Sequence, residues 1–232
     1  AAGVMQAAEL PSMPFDVAGT LETQRFVISR GQLDALGGQA NLTGEARWVH
    51  EALRTADTML DWFWDPGNGG LYTTAEDAET MVVRQKDLVD NATPSANSMA
   101  AHGLLRLAAL TGEQRYANHA DRILQLLATV VDQNPAAVSN ALLAIESRHR
   151  GIVELAVVGD APDLVRTAQI LWRPDLVLAW GEPFDSPLWH ARDDGFAYLC
   201  RDFACQRPVS DPEALYELIT GRPLPDGLPI RI

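Results

Sequence analysis

Residues 86 to 98 read KDLVDNATPSANS, a run in which carboxylates, amides and hydroxyls crowd together just before an apolar helical pattern. Two neighbouring carboxylates can serve as general acid and base, or as acid and nucleophile, at separations of roughly 5 to 9.5 Å in glycosidases. Asp87 and Asp90 are the candidates for catalysis, and their spacing along the chain is compatible with that range. Asn91, Ser95 and Asn97 would orient a polar substrate as donors and acceptors. Upstream, Trp62 and Tyr72 offer aromatic faces for stacking on a sugar, and Arg84 could hold an anionic group or pair with a carboxylate, whereas Lys86 is expected simply to pair. The same residue types also satisfy the bare N–H groups of a helix start with no chemistry at all, and from sequence the two readings weigh about equally.

Other chemistry is sparser. Cys200 and Cys205 are the two cysteines of the chain, too few to close a four-ligand zinc site, and the nearest histidine, His190, has no zinc-finger spacing to them. Neither metal nor cofactor is expected. In a reducing cytoplasm the two thiols are expected to be free and partly buried, with a regulatory disulfide across the short loop as the redox alternative. VVGDAPD follows a strand-like run but holds one glycine where a dinucleotide fingerprint needs three. Gly159 and Asp160 are read as the end of a strand and the start of a helix.

Composition sets the background. The 232 residues carry 18 Lys and Arg against 31 Asp and Glu, a net charge of −13, which disfavours nucleic acid and anionic membrane surfaces. Hydrophobic residues at 47% and charged residues at 21% predict a folded globular protein. No apolar run approaches the roughly 18 residues a membrane span requires, and the opening residues lack the basic start of a secretory signal. The expectation is a soluble, cytoplasmic protein, and Ala1 in place of Met suggests a trimmed chain or a piece of a longer one.

The elements that must position these residues are mostly helical. Apolar spacing of three and four picks out about five amphipathic helices: Phe26, Leu33 and Leu36; Trp48, Ala52, Ala56, Met59, Leu60 and Phe63; Met99, Leu104, Leu107 and Leu110; Tyr116, Ala120, Ile123, Leu124 and Leu127; Val138, Leu142 and Ile145. The tripeptide TGE stands at two junctions, Thr43 to Glu45 and Thr111 to Glu113, and such short joints predict antiparallel hairpins. Thr93 is read as an N-cap with Pro94 in the first turn of the third of these helices. In that helix Ser95, Ser98 and His102 would share a polar face, and Ala96, Ala100 and Gly103 a face for close packing. Leu71 to Thr74 and Met81 to Arg84 suit a β-hairpin. After Gly151 the period changes: IVELAVVGD, DLVRTAQILW and PDLVLAW predict a βαβ unit with a parallel strand pair, and FAYLC, residues 196 to 200, a further strand. Ser210, Pro212 and Glu213 mark a capping box opening a last helix from about Asp211 to Ile219. The predicted organisation is a helical-hairpin region over residues 1–150 and a small α/β element over residues 151–232.

The stretch from WFWDPGNGGLYTTAEDAETMVVRQKDLVDNATPSANSMAAHGLLRLAALTGEQRYANHADRIL through ELAVVGD to AYLCRDFACQRPVSDPEALYELI resembles the C-terminal part of the spermatogenesis-associated, thioredoxin-domain-containing proteins of the YyaL type. The likeness runs from about Thr43 to Ile219, most specifically at Lys86, Asp87, Asp90, Thr93 to Ser95, Asn97, Ser98 and Cys200 through Cys205. It implies a parent chain with an N-terminal thioredoxin-like domain followed by an α/α toroid akin to six-hairpin glycosidases and N-acylglucosamine 2-epimerases. This chain departs from that pattern: it holds no Cys-x-x-Cys, and its helices fall well short of a complete six-hairpin ring. The fold expected is therefore mainly α, a partial α/α toroid with a short β-hairpin and a small C-terminal α/β element. Two functions compete. One is action on a carbohydrate or related polar metabolite through Asp87 and Asp90, and the other is a non-catalytic scaffold or client-binding region attached to the thioredoxin-like domain. A broken ring would also expose apolar helix faces, so a homodimer is a further expectation.

Overall fold

The computed structural model describes residues 38–78, 83–171, 173–225 and 227–228. The helix expected over Phe26, Leu33 and Leu36 lies outside them. Residues 38–43 are helical and lead through Gly44 into α1 (Ala46–Phe63), whose buried stripe is Val49, Ala52, Ala56, Met59, Leu60 and Phe63. Trp48 sits half-buried beside that stripe, and Val49 takes the place expected for it. Next come α2 (Ala96–Thr111) and α3 (Gln114–Val131), then a 3-10 turn (Pro135–Val138) and α4 (Ser139–Arg150). α2 is buried on nearly every side, which its run of Ala, Gly and Leu allows, and it packs against both α3 and α4.

The two TGE junctions share one construction. Thr43 and Thr111 each donate Oγ1 to the carbonyl four residues back, Gln39 at 3.0 Å and Leu107 at 2.8 Å, while accepting from the N–H two residues on, Glu45 at 3.3 Å and Glu113 at 3.2 Å. Gly44 and Gly112 between them adopt φ of 68° and 78°, the left-handed stop that costs any other residue strain. The threonine thus takes up a last-turn carbonyl and a donor just past the helix end. Thr220 and Gly221 repeat the device at the end of the last helix.

The C-terminal part is a four-stranded sheet of order β2-β1-β3-β4, with β1 (Val153–Val158), β2 (Leu176–Ala179), β3 (Phe196–Arg201) and β4 (Ala204–Cys205). β1 and β2 are parallel across the crossover helix α5 (Pro162–Gln169), as the βαβ reading predicts, and FAYLC forms β3 antiparallel to β1. The strands alternate cleanly between two covered faces. Val153, Leu155, Val157, Leu176, Leu178, Ala197 and Leu199 pack on α5 and on α6 (Pro212–Thr220). Ala156, Val177, Ala179, Tyr198 and Cys200 pack into the core of the helical hairpins. Both faces being dry explains why the strands read as unbroken apolar runs. The molecule is mainly helical with a small sheet, and the sheet shares its core with the hairpins across the boundary at residue 150.

Three local expectations are corrected. The N-cap of α2 is Ser95, whose side chain accepts from the Ser98 N–H, so Thr93 and Pro94 precede the helix. Asp211, not Ser210, caps α6, because Pro212 occupies the first helical position and the cap must be the residue before it. The buried face of α4 is Ala141, Ala144 and Ser147, small residues that let it approach α2, while Leu142 is 37% and Leu143 52% exposed. The β-hairpin expected over Leu71 to Thr74 and Met81 to Arg84 falls partly outside the described residues. Within them Leu71 bridges Trp64, Tyr72 N donates to the Phe63 carbonyl at 2.9 Å, and Thr73 N donates to the Gln85 carbonyl at 2.8 Å. Residues 79–82, which include half of its second strand, lie outside the description.

Candidate functional site

α1 ends at Phe63 and the chain reverses through residues 64 to 71, a turn organised by one carboxylate. Asp65 accepts from the N–H groups of Gly67 at 2.8 Å and Asn68 at 3.1 Å, and Lys86 Nζ closes on it at 2.7 Å while also reaching the Gly69 carbonyl. The pair is secluded, with side-chain exposures of 12% for Lys86 and 7% for Asp65. The Lys86 ammonium holds the Asp65 carboxyl far below the usual carboxylate range, and the hydrogen bond from Tyr72 to Asp65 pushes the phenol up. Lys86 therefore pairs, as expected, and Asp65 is the partner that sequence reasoning missed. Its signal was Asp-Pro-Gly-Asn, a turn that recruits an Asp side chain to its own backbone.

Asn97 is fully buried at the second position of α2 and its amide makes three hydrogen bonds. Oδ1 accepts from Leu71 N at 2.7 Å, and Nδ2 donates to the carbonyls of Leu71 at 3.1 Å and Asp87 at 2.9 Å. The amide acts as a one-residue strand for Leu71. Gly70 makes room for it, since a Cβ there would stand 3.0 Å from Asn97 Oδ1 and 2.5 Å from Leu126 Cδ2.

Asp90 joins two helix starts. Oδ1 accepts from Ser95 N and Oδ2 from Asn140 N, both at 2.8 Å, while its own N–H donates to the Ala137 carbonyl at 2.7 Å. Ser95 is fully buried, its hydroxyl committed to Ser98. Asp87 is half-buried and bound into the assembly through its carbonyl to Asn97. Asn91 is exposed in the turn before α2, its amide reaching the Val89 carbonyl at 3.5 Å. On the other side of the loop Arg84 donates to the Thr74 carbonyl at 2.6 Å and lies 4.1 Å over the Tyr72 ring, with Trp62 41% exposed beside it. The structure thus brings Asp87, Asp90, Ser95 and Asn97 together at the start of α2. Arg84, Tyr72 and Trp62 form a second group, and Asn91 stands apart.

A cleft of about 140 Å³ opens elsewhere, between the α2–α3 joint, the end of α4 and the sheet. Its lining includes Glu154 and the Asp202–Phe203 turn. Glu154 is 2% exposed and accepts from Phe203 N at 3.4 Å, and burial pushes its carboxyl up. Directly across from it on β3 is Cys200, which forms a disulfide with Cys205 on β4. The expectation of free thiols is corrected: the antiparallel hairpin sets the two cysteines side by side, close enough to bond. Among the described residues no group of three or more His, Cys, Asp or Glu side chains could hold a metal ion. No described helix is long and apolar enough to cross a membrane.

No family model matches the chain. Human spermatogenesis-associated protein 20 is 33% identical over 218 residues, 87% of this chain and 27% of that protein, and the mouse protein of the same name is 31% identical over the same span. Over that stretch the chain is similar to the proteins named spermatogenesis-associated protein 20. An uncharacterised Caenorhabditis elegans protein is 26% identical over 188 residues. The chain spans about a quarter of the length of these relatives, 26 to 27%.

Proposed function

We propose that this region is a non-catalytic scaffold, a set of helical hairpins forming part of an α/α toroid that presents a surface to a client or to a thioredoxin-like domain of the parent chain. One observation carries the reading: both oxygens of Asp90 and the amide of Asn97 are committed to backbone partners. Groups so engaged hold segments together and are not free to exchange protons with a substrate. The exposed Leu142 and Leu143 on the outer side of α4 supply apolar surface for such a client. The test uses the full-length protein, screened for turnover of sugars and sugar epimers alongside thermal unfolding. The scaffold reading expects no turnover, and a lowered Tm in Asp90→Asn and Asn97→Ala. Turnover abolished by Asp87→Asn at unchanged Tm would overturn it.

A second reading, action on a carbohydrate or related polar metabolite, draws on a different observation. Tyr72 lies under Arg84 at 4.1 Å and near Lys86 at 5.0 Å, with the exposed Trp62 adjacent. An aromatic pair beside cations is a surface on which a polar ring can stack. This reading requires Asp87 to act with a carboxylate supplied from outside the described residues, and Trp62→Ala to weaken sugar binding with no change in Tm.

A further inference from the structure

We propose that the Cys200–Cys205 disulfide is a thiol–disulfide exchange site that accepts two electrons from a vicinal dithiol, with Arg192 as the cation that stabilises the sulfur released. Four features of the site converge on this. The sulfurs are unequal in access, Cys200 being 2% exposed at the foot of the hairpin core and Cys205 half-buried on the two-residue strand β4. Arg192 Nη2 lies 2.9 Å from Cys205 Sγ and 3.8 Å from Cys200 Sγ. The guanidinium is held in place by the Tyr198 ring, 4.5 Å from its centroid, and by the Leu188 carbonyl at 3.4 Å, and among the described residues it makes no ion pair. Glu154, the cross-strand neighbour of Cys200, points to the same face of the sheet.

These positions assign an order of events. The reductant thiolate attacks Sγ of Cys205, the less buried of the two cysteines, and the pair of electrons in the sulfur–sulfur bond passes to Cys200 Sγ, leaving a mixed disulfide on Cys205 and a thiolate on Cys200. That thiolate is born beside the Arg192 cation and across from Glu154, whose carboxyl burial pushes up. The second thiolate of the reductant then attacks its own sulfur in the mixed disulfide and releases Cys205 as a thiolate 2.9 Å from Arg192 Nη2. One dithiol is oxidised to a disulfide and the Cys200–Cys205 disulfide is reduced to two thiols. A structural crosslink would need no guanidinium set 2.9 Å from one of its sulfurs.

The experiment treats the full-length protein with dithiothreitol in native buffer, traps thiols with a maleimide and reads the peptide carrying Cys200 and Cys205 by mass spectrometry. Both cysteines are expected to label in the folded protein. Arg192→Met should slow labelling about tenfold, and Arg192→Lys should restore most of the rate, because a nearby cation speeds departure of the thiolate. The single variants decide the matter if Arg192→Met does not fold: Cys205 in Cys200→Ser should react readily with an aromatic disulfide, and Cys200 in Cys205→Ser slowly. Labelling that appears only after denaturation overturns the proposal. So does equal reactivity of the two single-cysteine variants, or an Arg192→Met protein of parental Tm that is reduced at the parental rate.

Discussion

At the residue scale, the polar side chains around the start of α2 act as fasteners. Asp90 caps the beginnings of α2 and α4 at once, so Asp90→Ala should cost about 2 kcal/mol in denaturant unfolding, two caps at about 1 kcal/mol each. Asp65 and Lys86 form the more demanding pair. Lys86→Met would leave a secluded carboxylate with only neutral donors, and should cost about 3 kcal/mol at neutral pH. The pH dependence follows from the direction of the shift. The folded-state pKa of Asp65 is depressed, so its stabilisation is fully present above the unfolded value of about 3.9 and is lost as pH falls toward the folded value. The stability gap between parent and Lys86→Met should therefore hold from pH 7 down to about 4 and narrow as the pH falls below that, and a gap unchanged below about pH 4 would count against the ion pair.

At the element scale, the Thr-Gly stops set where helices end and what they meet. Gly112 turns the chain at φ 78° against Pro187, whose ring carbons would stand 2.9 Å from an added Cβ. Gly112→Ala combines left-handed strain with that clash and should lower stability by roughly 2 to 3 kcal/mol, measured by chemical denaturation. Gly221 meets nothing within 4 Å at its Cβ position, so Gly221→Ala should cost only the conformational strain of about 1 to 2 kcal/mol. Equal losses at the two sites would mean that the contact between the α2–α3 joint and Pro187 contributes little. The existence of the helices and strands could be read from apolar spacing, since Ala52, Ala56 and Met59 or Val153, Leu155 and Val157 repeat with the period of their element. The face of α4 could not. Leu142 is more apolar than Ala141, yet α2 approaches too closely for leucine, and the alanines turn inward.

At the scale of the whole molecule, the sheet is a partition whose two faces serve different layers, and Glu154 is the acidic residue on the face turned to the hairpins. Its folded-state pKa is raised by burial, so the native state binds more protons than the unfolded chain and stability falls as pH rises above the unfolded value of about 4.3. Glu154→Gln keeps the shape and removes the charge. The variant should gain stability over the parent at pH 8 and lose that advantage below about pH 4, as read by thermal unfolding across pH. A parent more stable at pH 8 than Glu154→Gln would mean that the ionised carboxylate has a favourable partner in the cleft.

What the amino-acid order determined by itself was local: the helical and strand periods, the glycine stops, the βαβ unit, and the concentration of polar groups before α2. What those groups are for was decided by distant partners. Asp90 caps Asn140 fifty residues away, Asn97 pairs with Leu71 across 26, and Lys86 finds Asp65 across 21. The bond between Cys200 and Cys205 is closer in sequence, yet its setting depends on β1 bringing Glu154 alongside and on Arg192 folding back over β3. Periodicity is carried by neighbours along the chain, whereas the occupation of a hydrogen-bonding group depends on which segments pack against it, and that is known only when the core has closed.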